Sequence, residues 1–327
     1  MPRKIAVTIP SYRVRDHILG VIARIGDEVW RIYVVDDGCP EGSGDYVERH
    51  CPDRRVRVLR HAENQGVGGA VITGYRSAIA DGADVVVKLD GDGQMPPELI
   101  PLFVVPILAG EADYTKGNRF FNVEDVRSMP MARLIGNAGL SFLTKLSSGY
   151  WNLFDPTNGF TAIHTAVLRA LPLHKIKRRY FFESDMLFRL NTFRAKVIDI
   201  PMRAVYGREE SGLHVGKVFF PFLFHHMSNT GKRILYNYFL RDFSAASLEL
   251  VLGFILLIFG VVFGSWEWVV HAQQNKFAST GTVMLSVLPI IAGMQLLISF
   301  VNYDVNSVPD RPVQASLAHQ DESRISE

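Results

Sequence analysis

The sequence predicts an α/β domain with a mostly parallel sheet, followed by helices at a membrane surface and a two-helix transmembrane hairpin. Three observations predict it. Short β-branched runs alternate with helix-length segments over residues 5–201. Two of these runs stop abruptly in acids, Val34-Val35-Asp36-Asp37-Gly38 and Val87-Lys88-Leu89-Asp90-Gly91-Asp92-Gly93-Gln94. Two uncharged apolar runs, residues 250–266 and 278–303, are joined by a short polar link.

Ile5-Ala6-Val7-Thr8-Ile9 is the first strand, broken by Pro10. Residues 16–26 suit a helix, and residues 30–35 form the second strand. A helix over 44–50 and a strand over 56–59 follow. Glu63-Asn64-Gln65-Gly66-Val67-Gly68-Gly69 then runs into a helix over 71–81. Its glycines match neither a dinucleotide fingerprint, which follows the first strand, nor a Walker A loop, which needs Gly-Lys-Ser/Thr. They allow close backbone approach to a flat ligand such as a base or ribose, or simply a glycine-rich helix entry. The strand over 85–89 carries Asp90, Asp92 and Gln94 to its C-terminal end, where ligands sit in open α/β sheets. These hard oxygens suit Mg²⁺ or Mn²⁺. Further on, residues 120–133 are polar and irregular and read as a mobile loop, residues 137–147 suit a helix, and residues 197–201 read as a late strand. A helix opens after Tyr180-Phe181-Phe182 with Glu183 and Asp185 in its first turn, where the helix dipole favours acids and Asp185 can also pair with Arg189.

Composition narrows the function. With 327 residues the chain is long enough for two regions, and 35 basic against 33 acidic residues give no polyanion-binding signal, so nucleic acid is not indicated. Cys39 and Cys51 make neither a disulfide framework nor a zinc spacing, which fits a reducing compartment. The N-terminal residues enter a strand directly, without the apolar stretch of a signal peptide.

Pro10-Ser11-Tyr12, Val34-Val35-Asp36-Asp37-Gly38, Asn64-Gln65-Gly66-Val67-Gly68 and Asp90-Gly91-Asp92-Gly93-Gln94 occur in that order. Together they resemble the successive motifs of family 2 glycosyltransferases with the GT-A fold, over roughly residues 4–210. The resemblance implies a nucleotide-sugar-dependent, hexosyltransferase-type enzyme. It implies that Pro10, Tyr12, Asp36, Asp37, Gln65 and Gly66 meet the nucleoside, and that Asp90, Asp92 and Gln94 surround the metal and diphosphate. Lys116-Gly117-Asn118-Arg119 resembles the family's Gly-x-Arg step, which makes Arg119 a phosphate contact. Asp155, in Phe154-Asp155-Pro156-Thr157-Asn158-Gly159-Phe160, becomes a sugar-hydroxyl contact or a turn aspartate. Asp185, then Glu183, stand where inverting relatives place a general base, and Arg208, in the segment that resembles the closing loop, is implied to meet the phosphates. Arg13-Val14, Cys39, Val67 and Leu213 depart from common family residues, which bears on the identity of base and sugar.

Residues 214–243 mix bulky apolar residues with cations, as helices lying among lipid headgroups do. Residues 244–303 make the hairpin, with Gln295 expected to face the partner helix, and residues 304–327 are expected to be a polar, disordered tail. Lys232, Arg233 and Arg241 before the hairpin and Arg311 after it put both ends in the cytoplasm, with residues 1–213 as a cytoplasmic domain on an inner (plasma) membrane. The layout resembles polyprenyl-phosphate sugar synthases of the dolichyl-phosphate mannose synthase group. It implies a UDP- or GDP-linked sugar donor, a polyprenyl phosphate acceptor positioned by Arg119 and Arg133, inverting transfer and a multi-pass protein compatible with homo-oligomers. The Gln-x-x-Arg-Trp string of processive synthases is absent. Two alternatives stand beside this expectation: transfer to a sugar hydroxyl of a lipid-linked or surface glycan, and a non-catalytic membrane subunit that keeps the fold.

Overall fold

The structure, a computed structural model, describes residues 3–121, 131–203 and 215–325. The chain divides into two compact units, Met1–Thr230 with Pro309–Glu327, and Gly231–Val308.

In the first unit, strands β1 (Ile5–Ser11), β2 (Val29–Asp36), β3 (Val56–Arg60), β4 (Val85–Lys88), β5 (Tyr114–Asn118), β6 (Thr161–His164) and β7 (Val197–Pro201) form one sheet among the described residues. Its order is β3-β2-β1-β4-β6-β5-β7. β6 runs antiparallel to β4 and β5, and the other pairs are parallel. Helices α1 (Arg15–Ala23), α2 (Ser43–His50), α3 (Val67–Ala80) and α4 (Ile100–Leu108) connect the first five strands. The central strands are buried along both faces, which explains why they read as continuous apolar runs rather than alternating ones. Ile18, Val21 and Ile22 of α1 and Ile100, Phe103 and Ile107 of α4 fill the core, and the Phe103 ring stacks on Phe160 with centroids 3.9 Å apart. Burying each such side chain contributes about 1.5–3 kcal/mol. Ser11 pairs with Asp36 and Thr8 with Lys88, so the acid-bearing ends of β2 and β4 meet the end of β1 on one edge.

Strand β6 is not apparent in the sequence, because four residues after a Gly-Phe turn carry little periodicity. Helix α5 (Met131–Ser148) starts six residues before the expected 137, taking residues 131–133 out of the expected loop. It follows Pro130, a residue favoured at the entrance to a helix and excluded from its interior. The remainder of the loop, 122–130, lies outside the described residues. Helices α6 (Thr165–Ala170) and α7 (Phe182–Thr192) lead to β7.

Helix α8 (Val215–Leu235) corrects part of the expected headgroup layer. Within the first unit it uses one face as a core helix. Phe222 packs edge-on against Phe181, buried His226 puts Nδ1 2.8 Å from Ser147 Oγ, and Asn229 Nδ2 donates to Asp185 at 3.1 Å. Phe220, Phe224 and Met227 remain exposed. The polar partners are three to four residues apart and share a face, which a composition reading does not separate from a basic interfacial stripe.

The expected disordered tail is also corrected. Residues Gln314–Ile325 form a helix in the first unit. The backbone N–H groups of Val313 and Gln314 donate to the Asp113 carboxylate at 2.8–3.1 Å, and so does that of Lys196 at 2.8 Å. Gln314 Nε2 donates to the carbonyls of Ile107 and Ala112. The contact is made largely by backbone donors, so the polar tail composition does not reveal it.

In the second unit, α9 (Ala245–Gln273) and α10 (Thr280–Asn306) pack as a hairpin, and both are long and apolar enough to cross a membrane. Their 29 and 27 residues exceed the roughly 20 needed to span the hydrocarbon layer. Only 28% and 11% of their most apolar windows are buried, so most of this apolar surface faces outward. Glycines set the contact. A Cβ on Gly260 would lie 2.7 Å from the Ser286 carbonyl oxygen, and one on Gly293 would lie 2.7 Å from the Leu257 nitrogen. Gln295 is exposed, contrary to expectation, because two residues turn a helix by about 200° and Gly293 holds the contact face. Arg233 is not among the headgroup cations. It is buried and pairs bidentately with Asp304 at 2.6 and 2.9 Å, and the Tyr238 hydroxyl donates to the same carboxylate at 2.5 Å.

Two outcomes follow from this packing. Asp113→Ala strips three backbone donors of their acceptor and should cost about 3 kcal/mol. Limited proteolysis should then cut residues 309–325 first, whereas the wild-type chain resists. Burial pushes the His226 imidazole down to about 4. A lowered folded-state value means that the unfolded chain binds the proton first. The stability associated with neutral His226 is therefore complete above about pH 6.5 and falls by about 3 kcal/mol towards pH 4. Thermal unfolding across this window should be steeper in pH for wild type than for His226→Gln.

Candidate active site

The site is assembled on the edge where β1, β2 and β4 end. Gly38 follows the β2 acids at φ +63°, and a Cβ there would lie 3.0 Å from the Asn64 nitrogen, so the chain turns back tightly. Both acids are held by the chain itself. Asp36 accepts the N–H of Cys39 at 2.7 Å and that of Gly44 at 2.6 Å, which anchors the start of α2. Asp37 accepts the N–H groups of Gln65 at 2.9 Å and Gly66 at 2.7 Å, and sits 2.7 Å from His61 Nδ1. His61 Nε2 lies 2.8 Å from Thr73 Oγ1, so the ring joins the acid to α3. The pair expected at the nucleoside thus holds the loops after β2 and β3 in place.

The glycine-rich entry to α3 makes a close approach to its own chain. A Cβ on Gly66 would stand 2.7 Å from the Arg178 carbonyl oxygen, and one on Gly68 would stand 2.7 Å from that of Lys177. The Gly69 N–H donates to Arg178 O at 3.1 Å, and Gln65 Oε1 accepts from Arg178 Nη1 at 3.1 Å. Helix α3 is therefore clamped to the segment that leads into α7. Pro10 lies at the end of β1 opposite Val35, and Tyr12 is exposed beside the Arg13 guanidinium.

Beyond β4, Asp90, Asp92 and Gln94 are each half-buried. Asp92 Oδ1 accepts the Gln94 N–H at 2.9 Å, which closes the turn. Asp90 Oδ1 lies 3.0 Å from Lys88 Nζ, and the same ammonium lies 3.2 Å from Glu183 Oε1 on α7. Lys88 is 1% exposed. Burial alone would lower its pKa, but Asp90 and Glu183 outweigh burial and hold it raised. No group of three or more His, Cys, Asp or Glu side chains arranged to hold a metal occurs among the described residues. Two hard carboxylates beside an amide nevertheless fit Mg²⁺ or Mn²⁺ of the kind that takes its remaining ligands from phosphates and water.

The other expected site residues fall into two groups. Glu183 shares the Lys88 ammonium with Asp90. Asp185 does not: it is 1% exposed and accepts the Lys177 N–H at 2.9 Å, Arg189 Nε at 3.1 Å and Asn229 Nδ2 at 3.1 Å. Arg119 and Asp155 meet each other, with Arg119 Nε and Nη2 donating to the two carboxylate oxygens at 2.7 and 3.1 Å and Asp155 fully buried. Asp155 therefore takes the turn role rather than facing a sugar. The side chain of Arg133 on α5 and all of Arg208 lie outside the described residues.

Several polar residues at the site were not singled out in the sequence. Besides Lys88, buried Lys116 donates to the Asn158 carbonyl, and burial pushes its amine down to about 8. Burial raises Asp199, which accepts the Phe154 N–H at 2.9 Å, to about 6. The available signal was a lysine inside an otherwise apolar strand, where a charge persists only if partnered.

Known proteins place this arrangement. Over 206 residues the chain is 31% identical to an undecaprenyl-phosphate mannosyltransferase of Micrococcus luteus, covering 62% of this chain and 84% of the relative. Over 216 residues it is 29% identical to a UDP-N-acetylglucosamine–dolichyl-phosphate N-acetylglucosaminyltransferase of Methanococcus voltae, covering 62% and 86%. Glucosyl-3-phosphoglycerate synthase from Mycobacterium tuberculosis, solved with UDP, shares the fold with a TM-score of 0.54 at 21% identity, over 70% of this chain and 80% of that one. The same enzyme solved with Mn²⁺, UDP and glucosyl-3-phosphoglycerate superposes with a TM-score of 0.53 at 20% identity, over 71% and 80%. These likenesses identify the α/β unit as a GT-A-like domain, with β6 as the antiparallel member of its sheet. Residues 6–171, which carry the strand-end acids and the turn against them, match glycosyl transferase family 2, and the chain belongs to that family as a nucleotide-sugar-dependent glycosyltransferase.

Proposed function

We propose that this enzyme is attached to the membrane and moves a sugar from a UDP- or GDP-linked donor to polyprenyl phosphate on the cytoplasmic face. Transfer is metal-dependent, non-processive and inverting. The observation that carries the proposal is the half-buried Asp90–Asp92 turn at the end of β4, in a chain that also holds two outward-facing apolar helices. The relatives named for undecaprenyl- and dolichyl-phosphate transfer support the acceptor class.

Asp90 and Asp92, with Gln94, would hold Mg²⁺ or Mn²⁺ against the donor diphosphate. When bound, the ion offsets charge that develops on the departing nucleotide. The rest falls to the chain. Asp36 and Asp37 hold the loops that frame the nucleoside, with Pro10 and Tyr12 at the rim. Glu183 is the acid of α7 that faces the reacting side, and it already engages Lys88. That suits a phosphate monoester, which is largely dianionic at neutral pH and attacks without a strong general base. Arg133 and Arg208 are the cations proposed to position it, since Arg119 is committed to Asp155. Lys232 and Arg241 on one flank of the hairpin and Arg311 on the other, against Lys276 in the link, favour a cytoplasmic domain.

Transfer of labelled sugar to polyprenyl phosphate in detergent tests this. Asp92→Asn or chelator should abolish product while the protein stays folded. Glu183→Gln should lower the rate by less than about tenfold, whereas a sugar-hydroxyl acceptor needing a base would lose roughly 10²–10⁴-fold. Full activity of folded Asp92→Asn refutes the site.

Arg119→Ala should act through folding. It leaves the buried Asp155 carboxylate without its guanidinium and should lower stability by about 1–3 kcal/mol. Asp155→Asn in the same chain should restore part of that loss, as read by thermal unfolding. Activity lost without any change in melting temperature would return Arg119 to the substrate.

A further inference from the structure

The proposed chemistry calls for a metal at Asp90, yet the fold already supplies a cation there. Lys88 Nζ lies 3.0 Å from Asp90 and 3.2 Å from Glu183, in a position closed to water. Space has been kept for it. A Cβ on Gly159 would fall 2.5 Å from Nζ and 2.6 Å from Asp90 Oδ2, so a side chain at 159 would push the ammonium or the carboxylate out of this position. The ammonium ties the end of β4 to the start of α7, and the turn before β6 leaves room for it.

We propose that Lys88 is a positioning residue that keeps Asp90 charge-compensated in the free enzyme, so that the divalent ion enters together with the donor diphosphate and not before it. This rests on Asp90 and Asp92 being the metal ligands. Asp90, Asp92 and Lys88 together carry one net negative charge, and a fixed ammonium on Asp90 repels a second cation sharing that carboxylate. A diphosphate brings both negative charge and oxygen ligands, and it reverses the balance. Glu183 shares the ammonium. It moderates the hold on Asp90 and is itself held on the reacting side. Binding of metal and of nucleotide are thereby coupled, and such a coupling acts equally on both ligands.

Mn²⁺ binding to the full-length, detergent-solubilised, nucleotide-free protein tests the proposal, with free Mn²⁺ read by electron paramagnetic resonance. The wild-type chain should bind weakly. Lys88→Met should bind more tightly, by roughly the 5–150-fold of ordinary site-to-site coupling. Glu183→Gln should bind more weakly than wild type, because the ammonium is left to Asp90 alone. A folded Lys88→Met protein whose Mn²⁺ affinity is unchanged or weaker overturns the role of Lys88. If Lys88→Met does not fold, unchanged or tighter binding by Glu183→Gln overturns it instead. Asp92→Asn separates the two levels. Mn²⁺ binding that survives it rejects the metal site and this proposal together, whereas loss of binding with no gain in Lys88→Met rejects the proposal alone.

Discussion

A carboxylate removed from water must find donors, and this fold is organised around meeting that demand from within. Asp36 and Asp37 take backbone N–H groups from the loops after β2 and β3. Asp155 takes a guanidinium, and Asp185 takes one N–H and two side chains. Asp36 fixes the turn that follows it, and the other three hold segments distant in sequence. The rim of the site is therefore stiff before any substrate arrives, and a preorganised rim lowers the ordering cost of binding. Asp90 and Asp92 differ from the others in being only half-buried, at the one strand end where charge is wanted outside.

The sheet and hairpin were legible because their signals are additive. β-branched runs, glycine punctuation and long uncharged stretches each repeat over many residues. The acids at the end of β4 were legible too, since a buried strand that stops in Asp-Gly-Asp leaves its carboxylates at the end of the sheet. The remaining acids were not. Sequence spacing marks Asp155 and Asp185 as neighbours of the site but does not tell whether a carboxylate looks out or in, and one helical residue turns a side chain by about 100°. Glu183 and Asp185 show the cost of that ambiguity: two residues apart, they face opposite tasks. The partner of Arg119 and the second partner of Lys88 lie 36 and 95 residues away and become visible only when the strands are paired.

The hairpin follows a different rule. Between apolar helices in an apolar surround, close packing replaces water exclusion as the source of specificity. Gly253, Gly260 and Gly293 bring backbone to within reach of backbone. In the same unit, the Arg233–Asp304 pair with Tyr238 is a polar fastening that suits a region where one end of the helices meets water.

Asp113 receives its last two backbone donors from residues about 200 positions further along the chain. At ribosomal rates of about 5–20 residues per second, those donors emerge roughly 10–40 s after the strand they complete. Both apolar helices are made in that interval. The first unit thus waits, with one buried acid holding only its Lys196 donor, until the hairpin has been synthesised. Closure of the domain becomes a late event in the birth of the protein, and a chain halted before its last helix carries an open seam for quality-control proteases to find.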